Sequence, residues 1–160
     1  MLRSRRSGSR RLRLHSNSDG VSDMQAAARW VSGRLFAGET GSGHRVMMDG
    51  SPEHGGRNLG ARPMEMLLLG IAGCSGFDVV MILEKGRVGL VTCDVEVEAE
   101  RATEDPKVFT RIHMHYIVKG EGLTEDKVKR AVELSAEKYC SASVMLGKTA
   151  TITHDWEIRA

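Results

Sequence analysis

The chain has 160 residues, 28% charged and 41% hydrophobic, with a formal net charge of +2. That length suits one domain, and that balance suits a soluble globular protein and excludes a disordered or collagen-like chain. Three cysteines without a recognisable secretory signal argue against a disulfide-scaffolded secreted domain and lead to the expectation of a reducing cytoplasm.

Residues 1–23 differ in character from the rest of the chain. They hold Arg3, Arg5, Arg6, Arg10, Arg11 and Arg13, several serines, and only Asp19 and Asp23 as acids. Six of the 23 basic and two of the 21 acidic residues lie there, so 17 basic and 19 acidic residues remain and the domain itself is weakly acidic. Such a segment buries too little apolar surface to offset its ordering entropy and is expected to be a disordered Arg/Ser-rich extension. A nucleic-acid-binding arm, an organelle transit peptide and a stretch upstream of a working start at Met24 are the readings open to it, the last preferred. No aromatic residue interleaves with the arginines and no basic stripe lies beyond them, so nucleic acid is not an expected partner.

The domain is placed at 24–160. Ala26 to Phe36 and His44 to Met48 read as two short strands, joined through the Gly38–Gly43 stretch. Asp49 to Ala61 is a Gly-rich loop, and its glycines fit neither dinucleotide- nor phosphate-loop spacing. It leads into the segment that organises the chain, Arg62 to Gly86. Pro63 suits a first helical turn and Gly86 the position past the helix end, with Lys85 beside the negative end of the dipole. The helix is apolar in every direction, so it is expected to be buried all round. At about 33 Å it could cross a membrane. Asp78 inside the run, the glycines Gly70, Gly73 and Gly76, and the lack of a second such stretch favour the central helix of a soluble protein instead. Cys74 shares a helix face with Met66, Gly70, Phe77 and Met81, which would give an adaptable apolar lining.

After Gly86, Val91–Glu100 alternates apolar and acidic residues, the pattern of a half-buried strand with Cys93 on its inner face. A turn at Asp105-Pro106 leads to a second strand over Val108 to Lys119, and the two form an expected hairpin. His113 and His115 share a face of that strand. With no third ligand placed by the sequence, a hydrogen-bonded strand face is the preferred reading and no metal is expected. Thr124 is a candidate N-cap, and Val128, Ala131, Val132, Ser135 and Tyr139 mark one face of a second helix. Cys140 comes directly after it, Ser141 to Lys148 can form a short third helix, and Thr151–Ile158 closes the chain as a strand. The order β-β-α-β-β-α-α-β indicates an α+β fold with antiparallel pairing. One sheet and small amphipathic helices scarcely surround a helix that is apolar on every side, so a dimer is expected to cover the remaining face.

The segments Pro63–Cys74, Glu137-Lys138-Tyr139-Cys140-Ser141 and Ile152-Thr153-His154 resemble the OsmC/Ohr family. Trp30-Val31, Gly43-His44, the Pro63–Met66 start and Ala136–Ser141 are most similar to its YhfA-like branch. The resemblance implies an intertwined homodimer with central buried helices packed against antiparallel sheets. It also implies a cysteine-based peroxidase for organic hydroperoxides, without cofactor or metal and reset by an external dithiol. Cys74 would be the peroxidatic nucleophile, captured after oxidation by Cys140 as a disulfide. A carboxylate at Asp78, one turn from Cys74, disfavours the thiolate, so a guanidinium must offset it. Arg34 matches the family's arginine, with Arg62 and Arg45 as competitors. The family's glutamate after the helix-opening proline corresponds to Met64 here, with Glu65 one residue later. A non-catalytic binding or redox-sensing protein with an apolar pocket is the second reading.

Overall fold

The computed structural model describes residues 24–159; the expectation for the N-terminal extension lies outside them. These residues divide into two compact units, one ending at Pro63 and one beginning at Met64, and each is described by itself.

The first unit is a three-stranded antiparallel sheet of β1 (Ala26–Ser32), β2 (Leu35–Thr40) and β3 (Arg45–Met48), in that order. The expected single strand over Ala26–Phe36 is instead a hairpin. Gly33 has φ +55, at the first central position where a type II′ turn places glycine, and the chain reverses so that Trp30 pairs with Phe36. The loop after β3 is held from inside by Asp49, which is 1% exposed. Its carboxylate accepts the backbone N–H groups of Gly50 (2.8 Å), Arg57 (3.0 Å) and Leu59 (3.1 Å). The N–H of Leu59 foremost, then those of Arg57 and Gly50, hold its pKa below the ordinary aspartate value against the opposing effect of burial.

The second unit begins with the long helix α1 (Pro63–Lys85), followed by β4 (Gly89–Arg101), β5 (Phe109–Glu121), α2 (Glu125–Leu134), α3 (Ser141–Leu146) and β6 (Thr151–Arg159). Proline and Gly86 bound α1 where the capping rules place them, and the Gly86 N–H returns to Ile82 O at 3.0 Å. Strands β4 and β5 form the expected hairpin, Val97 opposite Met114. Strand β6 corrects the expectation of purely antiparallel pairing: it lies parallel to β5, Ile112 beside Ile152 through Lys119 beside Arg159. Two helices intervene between β5 and β6, which gives the chain the crossover a parallel neighbour requires.

Ile112, Met114, Tyr116 and Val118 of β5, with Ile71, Val79 and Leu83 of α1 and Val128, Ala131 and Val132 of α2, form one buried cluster. Thr124 caps α2, its hydroxyl accepting the Lys127 N–H at 3.3 Å, and Trp156 Nε1 donates to Glu125 Oε2 at 2.7 Å, tying β6 to that helix.

The long helix is not buried all round. Its buried residues are Ile71, Ser75, Val79 and Leu83, a single stripe at four-residue spacing. Leu69 is 61% exposed and Phe77 66%. Among the described residues, a methyl group at Gly70 or Gly73 would meet nothing within 4 Å, whereas at Gly76 it would press on Val95 of β4 at 3.1 Å. Helix α1 has the length and hydropathy of a membrane span. Within this unit, however, its buried stripe lies in the core cluster and carries a hydrogen-bonded serine.

Candidate functional site

Cys74 and Asp78 are one turn apart on α1 and therefore on the same side of it. Cys140 arrives from the end of α2 by a local irregularity. After Leu134 the helix widens into a π-turn over Ser135–Tyr139, closed by Cys140 N–H to Ser135 O at 2.9 Å. That wider turn changes which residue continues the buried stripe of Val128, Ala131, Val132 and Ser135. Tyr139, expected on this face, is 49% exposed, while Cys140 is fully buried. The consequence is a cluster in which the sulfurs of Cys74 and Cys140 and a carboxylate oxygen of Asp78 all lie within 4.8 Å of one another. A disulfide needs a sulfur separation of about 2.05 Å, so each sulfur has to travel little more than about 1.4 Å to close one.

Burial is the main influence on Cys140 and pushes its thiol up, as does the neighbouring Cys74; the Ser143 hydroxyl foremost, then the Ser143 backbone N–H at 3.4 Å from the sulfur, pull the other way. The Ser143 hydroxyl is buried and, apart from its influence on Cys140, has no hydrogen-bond partner among the described residues. A thiol is a weak acceptor, so this donor gains its full worth only when Cys140 is a thiolate.

Behind Asp78 runs a chain of buried hydroxyls. Tyr116 OH and Ser75 Oγ are 2.5 Å apart, Ser75 Oγ and Ser135 Oγ 2.7 Å, and Ser135 Oγ lies 3.3 Å from Asp78 Oδ2. A carboxylate only accepts, so the chain has a direction: Tyr116 donates to Ser75, Ser75 to Ser135, and Ser135 to Asp78. Tyr116 supports this by staying neutral, since burial pushes its phenol up to about 12. The sequence placed Asp78 beside Cys74 but gave no sign of these partners, which are hydroxyls of ordinary core appearance: Ser75 from α1 itself, Tyr116 from β5 and Ser135 from the end of α2.

The remaining candidates are elsewhere. Glu65 is an exposed residue of the first turn of α1; nine positions of unbroken helix put it about 13 Å along the axis from Cys74. Arg34 belongs to the turn between β1 and β2 in the other unit, where its Nε donates to His54 O at 3.2 Å. Cys93 is half-buried on the inner side of β4, its thiol pushed up to about 11, chiefly by burial. His113 and His115 occupy a hydrogen-bonded strand face, as the sequence indicated: His113 Nδ1 meets Thr153 Oγ1 at 2.9 Å and His115 Nδ1 meets Asp155 Oδ1 at 2.5 Å. Their partners come from the parallel strand β6.

A long apolar helix laid on a mixed sheet, with one helical cysteine facing a second cysteine from a distant turn, defines a helix-and-sheet dithiol protein. The comparisons with known proteins carry this further. The sequence model of OsmC-like proteins matches residues 55–155. Protein YhfA of Escherichia coli strain K12 is 48% identical over 137 residues, covering 86% of this chain and 99% of YhfA. The chain belongs to the OsmC family. Among solved structures, a hypothetical protein of Aquifex aeolicus VF5 matches with 29% identity and a TM-score of 0.77, over 87% of this chain and 98% of that one. An organic hydroperoxide resistance protein OsmC of Legionella pneumophila shares the fold at a TM-score of 0.64, with 18% identity, over 84% of this chain and 96% of its own.

Proposed function

We propose that this chain is a thiol-dependent peroxidase that reduces apolar organic hydroperoxides through Cys74 and Cys140. The observation that carries the reading is the approach of the two sulfurs to within 4.8 Å from positions 66 residues apart in the sequence. The Cys74 thiolate attacks one oxygen of the O–O bond; that bond breaks, the alcohol leaves with a proton, and Cys74 becomes a sulfenic acid. Cys140 gives up its proton, its sulfur attacks that of Cys74, and hydroxide departs as water. The hydroperoxide is reduced by two electrons and the dithiol oxidised by two; an external dithiol then resets the pair by exchange.

Asp78 is the acceptor for the Cys140 proton and returns it to the departing hydroxide, which leaves the carboxylate as it began. The resemblance implies Arg34 as the guanidinium that favours the Cys74 thiolate; Glu65, one residue past the family's glutamate position, could act on that thiol only from a partner chain or from a bent start of α1. A homodimer is supported by the open side of α1, where, among the described residues, Leu67, Leu69 and Phe77 are exposed together with two glycines that no other residue approaches. That face is apolar, which also suits a hydrophobic substrate.

The test is a thiol count by intact mass and peptide mapping after a modest excess of cumene hydroperoxide. The expected product is one Cys74–Cys140 disulfide with Cys93 still reduced. Cys140→Ser should accumulate a dimedone-reactive sulfenic acid on Cys74, and Arg34→Ala should slow disulfide formation by tenfold or more. A protein that keeps all three thiols refutes the peroxidase reading.

A further inference from the structure

The reduced site also has the donor set of a metal centre. Two sulfurs and a carboxylate oxygen converge within 4.8 Å of one another, from two rigid places: an i, i+4 pair on α1 and the turn that precedes α3. A tetrahedral zinc ion with bonds of about 2.3 Å to sulfur and about 2.1 Å to oxygen needs ligand separations of about 3.5–3.8 Å. Their mutual distances therefore shorten by about 1 Å at most, a movement of about 0.6 Å for each group, which side-chain rotation supplies. Two thiolates and a carboxylate neutralise a divalent charge with one negative charge to spare, and soft sulfur ligands select zinc over magnesium or calcium.

The surroundings supply the second layer of contacts that metal ligands require. Ser135 Oγ donates to Asp78 Oδ2 at 3.3 Å, leaving the other carboxylate oxygen available. Ser143 N–H points at Cys140 Sγ at 3.4 Å, and the buried Ser143 hydroxyl, which also acts on that sulfur, has no other hydrogen-bond partner among the described residues. These groups suit a site whose Cys140 is a thiolate. Three protein ligands leave a fourth position open, the arrangement of reactive rather than structural zinc.

We propose that the dithiol form binds one Zn²⁺ through Cys74, Asp78 and Cys140, and that the disulfide form does not, because two of its three ligands are then consumed. This inference uses the side chains of the peroxidase reading but none of its chemistry. Binding is measured without peroxide, and disulfide formation is measured in the presence of a chelator, so either can fail alone.

The experiment titrates fully reduced protein with Zn²⁺ against a chromophoric chelator, and with Co²⁺ as a spectroscopic substitute. One ion per chain and an intense thiolate-to-cobalt charge-transfer band with visible bands of tetrahedral Co²⁺ are expected. Cys140→Ser and Cys74→Ser should each remove the stoichiometric ion, and Asp78→Asn should weaken Zn²⁺ by at least about tenfold, as should Ser135→Ala through the carboxylate it orients. Protein oxidised beforehand with diamide should bind none. The His113→Ala/His115→Ala variant, altered on the outer strand face, should bind as the wild type does. Absence of bound Zn²⁺ at micromolar concentration, or binding that survives Cys140→Ser or is lost with the two histidines, overturns the proposal.

Discussion

The buried hydroxyl chain permits a quantitative test of how the candidate site is held. In Ser75→Ala the phenol of Tyr116, itself 0% exposed, keeps only Met114 Sδ at 3.8 Å, a weak acceptor. Ser135 retains Asp78 and the Ser75 carbonyl, each at 3.3 Å. The substitution removes two hydrogen bonds and strands a buried donor, for a loss of about 2–3 kcal/mol. Tyr116→Phe leaves Ser75 its bond to Ser135 and should cost about 1 kcal/mol. In the double variant the phenol is no longer present to be stranded, so the second substitution adds almost nothing to the first. The cycle should show a coupling of about 1 kcal/mol or more, well above the ~0.5 kcal/mol within which independent sites add. Urea unfolding followed by tryptophan fluorescence gives these values, provided the slope with denaturant stays constant across the four proteins. Additive losses would refute the directed chain, and with it the claim that Asp78 is oriented from the core.

Three further outcomes are expected. In the loop after β3, a methyl group at Gly56 would lie 1.8 Å from the Gly50 carbonyl oxygen; Gly56→Ala should open the 50–61 loop to limited proteolysis while α1 stays resistant. The hydrogen bond that His115 donates to Asp155, foremost, raises the pKa of His115 above its ordinary value of 6.5. Protonated His115 therefore contributes stability that is fully present below pH 6.5 and is lost as pH rises through the folded-state value; Asp155→Asn should bring the NMR titration of His115 down toward 6.5, and an unchanged midpoint would refute the pairing. Cys93, with its thiol at about 11, should resist iodoacetamide at pH 8 under conditions that alkylate Cys74 fully.

Much of this fold is written in local chemistry. Proline before an apolar run and glycine after it located both ends of α1, alternation located β4, and Thr124 with two acids located the start of α2. The points that escaped are those where distant parts decide. Nothing in Thr151–Ile158 encodes whether its neighbour runs with it or against it; the direction is set by the two helices that carry the chain back along the sheet. Ala26–Phe36 reads as one strand because the pattern of a half-buried sheet continues through Gly33, and only the pairing of Trp30 with Phe36 reveals the reversal. The α1 pattern said that the helix must be covered on all sides, whereas the described residues cover one stripe. At the site, the sequence supplied both sulfurs and the nearby carboxylate, since Cys74 and Asp78 are a helical turn apart. It could not supply Tyr116, Ser75 and Ser135, three residues that look like packing until their oxygens are seen in line.

The π-turn between α2 and Cys140 has a consequence for how this chemistry can be lost. In an α-helix, five positions rotate a side chain by about 140°, so a uniformly wound segment would aim residue 140 away from the side that Ser135 occupies. The widened turn acts as a one-residue shim. Rewinding of Ser135–Tyr139 as a uniform α-helix, with no residue lost, would swing the second sulfur out of reach of the first. Both cysteines would survive in such a chain, and any search that counts them would register an intact pair in a protein no longer able to join them.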